Sequence, residues 1–179
     1  MNNANRQYLT EHLRSIYDFP KKGINFRDVT TLFKDAKSLE IMEHELYEIY
    51  KDKGITKVVG LETRGYIMGA ILARKLNAGF ILARKPGKLP ADTISEEYSK
   101  EYGTDHIEMH KDAISEDDVV LIHDDLLATG GTAKAAWKLV ERFKPKACYM
   151  NFLIEIRDEG LKGREFIGDG IEITTLLNV

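Results

Sequence analysis

Val119 to Ala133 reads VVLIHDDLLATGGTA. The four β-favouring apolar residues Val119 to Ile122 predict a strand. Thr132 is placed to cap a helix that begins Ala133-Lys134-Ala135-Ala136-Trp137. Between strand and helix stand two adjacent carboxylates, Asp124 and Asp125, and a Gly pair flanked by threonines. Strand, loop and helix in that order make half of a βαβ unit. In sheets built from such units, ligands bind at the carboxyl ends of the strands, and the two acids and the loop fall at such an end.

The rest of the chain repeats the alternation. Leu9, Leu13, Ile16 and Tyr17 lie at helical spacing and predict a helix over Tyr8–Tyr17, broken by Pro20 and Gly23. Leu39, Met42, Leu46, Ile49 and Tyr50 predict a second helix, closed by Gly54. KVVGL (Lys57–Leu61) reads as a short buried strand, TRGYIMGAILARKL as a helix and GFILARK as a strand. Pro86 to Asp105 interrupts the rhythm with Pro86, Gly87, Pro90 and Gly103, and is long for a connection in a compact domain. Such loops are usually functional lids or disordered. HIEMH alternates as an edge strand or hairpin arm does. KACYMNFLIEI and IEITTLL read as two further strands. The expected fold is α/β, with a mainly parallel central sheet flanked by helices and a flexible lid, all in one domain over residues 1–179.

The 179 residues carry 43% hydrophobic side chains and a formal net charge of -3, so a sizeable core is affordable and no basic excess suggests a nucleic-acid partner. The lone Cys148 excludes an intramolecular disulfide and a cysteine-built metal site, and its apolar setting predicts a buried thiol. MNNANRQYLTEHL lacks the apolar core of a signal peptide, and no apolar run approaches the ~20 residues of a membrane span. The expectation is a soluble, cytoplasmic protein with no membrane partner.

Thr129, Gly130, Gly131 and Thr132 can turn tightly and present backbone N–H groups, and the next helix adds its positive end, which together suit a phosphate. The loop is neither a P-loop nor GxGxxG, since no Lys-Ser/Thr follows and the glycines are adjacent. A Gly pair alone is often a plain turn; the two aspartates weigh against that. Carboxylates repel phosphate, so they must face another part of the same ligand. Ribose hydroxyls are donors and ionised carboxylates are pure acceptors, so a ribose 5-phosphate satisfies both features. The same carboxylates would stabilise positive charge developing on the sugar ring. His123 lies within the strand and reads as a packed residue. In ETRGY, Arg64 and Gly65 stand between a strand and a helix, a place suited to pyrophosphate, although one such Arg alone is more often a surface residue. The charge run RKPGK is ordinarily solvated, and Phe26 of GINFRD is ordinarily core.

HDDLLATGGTA resembles the phosphoribosyl-pyrophosphate motif of the type I phosphoribosyltransferases. DFPKKGINFRDVTTLFKD, VVGLETRGY, RKPGKLP and SKEYGTDHIEMHKDAI agree in order and spacing with the adenine phosphoribosyltransferases among them. The resemblance covers nearly all of Tyr17 to Lys134. It implies the type I phosphoribosyltransferase fold and the reaction of adenine with 5-phosphoribosyl 1-pyrophosphate to AMP and pyrophosphate. It also implies a magnesium ion held mainly by substrate oxygens, and a homodimer. Residue by residue, it implies that Ala128, Thr129, Gly130, Gly131 and Thr132 bind the 5-phosphate and that Asp124 and Asp125 bind the ribose and act in catalysis. Glu62, Thr63, Arg64 and Gly65 would form the pyrophosphate loop, joined by Lys85 and Lys88, in cis or from the neighbouring subunit. Adenine would pack on Phe26 and be read by main-chain groups of Asn25 and Arg27. Glu101 would be the catalytic acid on the lid, with Tyr102 beside it.

Lys22, Asn25 and His123 depart from the family pattern, and none removes a proposed chemical group. Two other functions compete: a phosphoribosyltransferase for a 6-oxopurine, against which the adenine-type stretches argue, and a non-catalytic sensor of phosphoribosyl pyrophosphate. A sensor ordinarily needs a DNA-binding segment, and this chain has no basic excess and retains Glu101.

Overall fold

The apolar runs around Val119 and Cys148 become the centre of a sheet buried on both faces, the pattern expected where every neighbour is parallel. A computed structural model of the chain describes residues 1–99, 103–157 and 160–179. In chain order the elements are α1 (Asn3–His12), β1 (Arg14–Tyr17), β2 (Asn25–Asp28), α2 (Thr30–Phe33), α3 (Ala36–Tyr50), β3 (Lys57–Leu61), α4 (Gly65–Lys75) and β4 (Gly79–Ala83). They continue with β5 (Thr93–Ser99), β6 (Thr104–His110), β7 (Val119–Leu127), α5 (Gly131–Glu141), β8 (Ala147–Glu155), α6 (Gly163–Ile167) and β9 (Glu172–Asn178). The main sheet runs β4-β3-β7-β8-β9, parallel throughout. Two antiparallel pairs, β1-β2 and β5-β6, stand apart from it.

Val59, Ile122 and Phe152 project to one face and pack with Ala136 and Leu139 of α5 and with Ile107 and Met109 of β6. Val58, Leu121 and Leu153 project to the other and pack with Met42 and Leu46 of α3 and Met68 of α4. Asp35 caps α3, its carboxylate accepting from the Ser38 N–H at 2.8 Å. Three strands share a buried polar chain. The imidazole Nδ1 of His123 meets Asn151 Oδ1 at 2.9 Å, and Asn151 donates to the Thr174 hydroxyl at 3.0 Å. Burial pushes the His123 imidazole down to about 4, so it is neutral and packed, as expected. Burial likewise pushes the half-buried Cys148 thiol up to about 12.

Four local expectations are corrected. The first helix ends at His12 and Arg14–Tyr17 is a strand; Asn2 starts the helix early by accepting from the Asn5 N–H at 2.8 Å, and Ile16 pairs with Phe26 across β1-β2. The segment read as a loop contains strand β5 and the start of β6, which pair so that Ile94 faces Met109 and Glu96 faces Ile107. Strand β7 continues past Ile122 to Leu127, so both aspartates belong to the strand. Helix α5 begins at Gly131, and Gly130 precedes it in the left-handed region (φ 79), in place of a Thr132 cap.

Candidate active site

The carboxyl ends of β3 and β7 lie side by side, since Gly60 is in register with His123. The turn after β3 is Glu62-Thr63-Arg64, with a cis peptide between Glu62 and Thr63. It leads into α4, whose first residue is Gly65. A Cβ on Gly65 would lie 2.7 Å from the His123 carbonyl oxygen and 2.9 Å from Asp124 Oδ1. Only glycine lets α4 start this close to β7. The expected pyrophosphate loop is thereby set directly against the expected ribose carboxylates.

The two aspartates have different environments. Asp125 is 2% exposed and its carboxylate takes an ion pair from Arg64 Nε. Asp124 is half-buried and its Oδ1 accepts from the Asp125 N–H at 2.9 Å. Desolvation, reinforced by the neighbouring Asp125 charge, holds the Asp124 carboxyl well above the usual carboxylate range. Arg64 is desolvated as well, but its bond to Asp125 more than offsets this and keeps it charged.

Asp124 sits at the edge of a cavity of about 150 Å³ whose other walls are the Ala128–Thr132 loop, Leu126 and Phe152. Gly130, at φ 79, makes the bend that turns this loop into α5. The first-turn N–H groups of α5 have no intrahelical partners, and the positive end of its dipole faces the cavity. Leu126 and Phe152 were not foreseen as lining residues. Reading β7 through to Leu127 would have placed Leu126, and Phe152 follows from its register with Asp124.

Other expected residues lie on the turn after β3, after β4 and on β2. Glu62 Oε2 accepts from the Lys85 N–H at 2.9 Å and from Arg84 Nε at 3.3 Å, so the turn after β3 is tied to the end of β4. Lys85 and Lys88 are exposed. Asn25, Phe26 and Arg27 lie on β2, where the Phe26 ring meets Phe19 edge-on at 5.2 Å. Asp28, next in that strand, is near enough for its charge to act on Arg64. Glu101 and Tyr102 lie outside the described residues. No group of three or more His, Cys, Asp or Glu side chains suited to a metal ion occurs among the described residues.

The glycine loop, the cavity it shares with Asp124 and the Arg64–Asp125 pair thus meet at the ends of β3 and β7. Residues 28–157 match the model of the phosphoribosyl transferase domain family, so the chain belongs to that class. Adenine phosphoribosyltransferase of Bacteroides thetaiotaomicron is 58% identical over 174 residues, covering 97% of this chain and 98% of the relative. The crystal structure of adenine phosphoribosyltransferase from Rhodothermus marinus superposes with a TM-score of 0.91 at 45% identity, covering 99% of this chain and all of that one. The Saccharomyces cerevisiae enzyme, complexed with an imino-altritol bisphosphate and adenine, gives 0.89 at 36% identity over 98% of this chain and all of its own. Within the class, the chain belongs to the adenine phosphoribosyltransferase family, a family of pentosyltransferases.

Proposed function

We propose that the protein transfers the phosphoribosyl group of 5-phosphoribosyl 1-pyrophosphate to adenine, forming AMP and releasing pyrophosphate. The observation that carries this reading is the cavity bounded by Asp124 and the Ala128–Thr132 loop, with Arg64 paired to the adjacent Asp125. The 5-phosphate occupies the loop, and the ribose hydroxyls donate to the carboxylates of Asp124 and Asp125. Arg64, with the backbone of Thr63 and Gly65 and the cations Lys85 and Lys88, binds the pyrophosphate; Glu62 holds that turn to Lys85. The C1–O bond to pyrophosphate breaks as adenine N9 bonds to C1, and the Asp124 carboxylate stabilises the oxocarbenium character of the ring. Adenine lies against Phe26, and the main chain of Asn25 and Arg27 reads its amine and N1. Glu101 exchanges a proton at N7 while the lid, with Tyr102, excludes water.

The donor set fits a magnesium ion carried in by the substrate. Asp124 is the desolvated carboxylate at the cavity edge, where a cation beside it would relieve that desolvation, and Asp125 is already occupied by Arg64. When bound, the ion would neutralise charge on pyrophosphate. We further place the enzyme in the cytoplasm as a homodimer acting in purine salvage, with Lys85 and Lys88 open to a neighbouring subunit's site. Among the described residues no helix is long and apolar enough to cross a membrane.

The deciding assay supplies radiolabelled adenine, hypoxanthine or guanine with phosphoribosyl pyrophosphate and magnesium. An oxopurine reverses two main-chain hydrogen bonds at about 1–3 kcal/mol each, so adenine should be preferred by about 100-fold or more in kcat/KM. Comparable use of hypoxanthine would overturn the adenine assignment, and no turnover of any base would overturn the enzymatic one.

A further inference from the structure

The phosphate loop is supported from behind by a part of the chain with no role in the reaction as described. Residue Gly163, at the start of α6, is pressed against it. A Cβ on Gly163 would collide with the Ala128 carbonyl oxygen and lie 2.8 Å from Leu127 Cδ1. Reciprocally, a Cβ on Gly130 would lie 2.5 Å from the Gly163 carbonyl oxygen. The two glycines therefore set the distance between the loop and its support.

Residue 164 then fixes the support to the sheet. Arg164 grips Glu155, the last residue of β8, through two parallel bonds: Nε to Oε1 at 3.1 Å and Nη2 to Oε2 at 2.8 Å. Its remaining nitrogen, Nη1, donates to the Ile173 carbonyl on β9 at 2.8 Å. Glu155 is 6% exposed, and its bond to Arg164 holds its carboxyl below the usual carboxylate range. Such a planar, two-bond fork fixes orientation as well as distance. The Ile156 N–H donates to the Leu127 carbonyl at 3.0 Å, which joins the end of β8 to the residue before the loop. On the other side, Lys134 Nζ of α5 donates to the Phe166 carbonyl at 2.6 Å.

We infer that Gly163, Arg164 and Glu155 are positioning residues for the 5-phosphate: they hold the Ala128–Thr132 loop at the depth where its backbone can receive the phosphate. This rests on the function proposed above and adds to it three residues that do not touch the substrate. A merely structural role would lower stability and leave the affinity of the folded enzyme alone. A positioning role changes the KM for phosphoribosyl pyrophosphate and spares that for adenine, which binds at β2.

The test measures both KM values, kcat and the melting temperature for Gly163→Ala, Glu155→Gln, Arg164→Met and Arg164→Lys. Ribose 5-phosphate binding by calorimetry gives the same comparison without turnover. Misplacing a binding group by 1 Å can cost up to ~10²-fold, so Gly163→Ala and Arg164→Met should raise the KM for phosphoribosyl pyrophosphate about tenfold or more. They should weaken ribose 5-phosphate to match and leave the adenine KM within about twofold, a selectivity that follows from the same local misplacement. Arg164→Lys, which keeps the charge and one bond, should fall between wild type and Arg164→Met. If Gly163→Ala does not fold, the two Arg164 variants decide on the same criterion. Wild-type ribose 5-phosphate affinity in folded variants, or equal changes in both KM values, would overturn the inference. A wild-type protein that binds ribose 5-phosphate but turns over no base would overturn the proposed reaction and leave this inference standing.

Discussion

Asparagine substitutions at Asp124 and Asp125 should have opposite effects on stability, although the two residues are neighbours. Asp125 is the anion of an ion pair, with a side chain 3% exposed against 46% for Arg64. Breaking a fully buried pair costs about 3–5 kcal/mol. Here water can solvate half of the guanidinium, and the amide oxygen can still accept one bond, so Asp125→Asn should cost about 1–2 kcal/mol. For a chain of this size each kcal/mol moves the melting temperature by about 2–4 °C, which gives a fall of about 2–8 °C. Asp124 is the reverse case. Its folded pKa lies well above the ordinary value, so the folded chain binds that proton more tightly than the unfolded chain. Ionisation at neutral pH therefore costs stability. Asp124→Asn removes the charge and keeps an oxygen for the Asp125 N–H, so its melting temperature should equal or exceed that of wild type. Its kcat should fall about 10²–10³-fold, the usual loss when one group aimed at transition-state charge is removed. Asp125→Asn should also raise the KM for phosphoribosyl pyrophosphate, because Arg64 loses its anchor. Calorimetric melting at pH 7 and steady-state kinetics read all of these. If Asp124→Asn melts several degrees lower while Asp125→Asn melts like wild type, the division of labour between the two carboxylates is refuted.

Glu101→Ala should lower kcat by about 10²–10⁴-fold, the range of a positioned general acid–base, and leave phosphoribosyl pyrophosphate binding close to wild type. Glu97→Ala is the control, since Glu96 helps anchor the hairpin through Lys138 at 3.3 Å; identical kinetics in the Glu97 and Glu101 variants would make Glu101 an ordinary surface acid. Asp28 offers a pH test of the β1-β2 segment. Desolvation raises its carboxyl, but bonds from the Thr30 hydroxyl, Arg14 and the Thr30 N–H outweigh this and bring it from 3.8 to about 2. A depressed folded pKa stabilises above the unfolded value and is lost as pH falls through the folded one. Wild type should therefore melt above Asp28→Asn at pH 7, with the gap closing between pH 4 and about 2; a gap independent of pH would show that the Asp28 charge contributes nothing.

The sheet was readable in the sequence because parallel strands buried on both faces leave continuous apolar runs, as in Lys57–Leu61 and Ala147–Glu155. The boundaries were less so, each for a local reason. Asp124 and Asp125 seemed to end β7, because two charges in a buried strand violate the apolar pattern. They remain in the strand, where Arg64 pairs with Asp125 and the Asp125 N–H gives Asp124 a single bond. The β5-β6 hairpin was concealed by its acids, by Gly103 and by the prolines that precede it, although Thr93, Ile94 and Tyr98 favour strand. Asp124, Asp125 and the Thr129–Thr132 loop were legible as one contiguous motif, and Arg64 and Gly65 as a strand-to-helix turn. Gly163 was invisible because nothing in KGRE shows that its α-carbon will lie against Ala128 more than thirty residues away.

The electrostatics of the site favour a ligand that meets all of its parts at once. Unpaired N–H groups at the start of α5 and the Arg64 guanidinium attract an anion, while the desolvated Asp124 carboxylate lacks enough donors of its own. Each part alone is unfavourable, and a single ligand with phosphate at one end, pyrophosphate at the other and hydroxyls between them relieves all three together. Inorganic phosphate satisfies the loop and leaves Asp124 as it was, and a free sugar satisfies Asp124 and leaves the loop bare. The site therefore gains most from the intact sugar phosphate. In the proposed reaction, hydroxyl donors would compensate the Asp124 carboxylate on binding, and the cationic ring would compensate it further as pyrophosphate departs. An interaction that strengthens from the bound state to the transition state raises kcat, whereas one satisfied equally in both would only lower KM. In the proposed reaction Asp124 would therefore carry the charge that faces the ring, since Asp125 is already paired with Arg64.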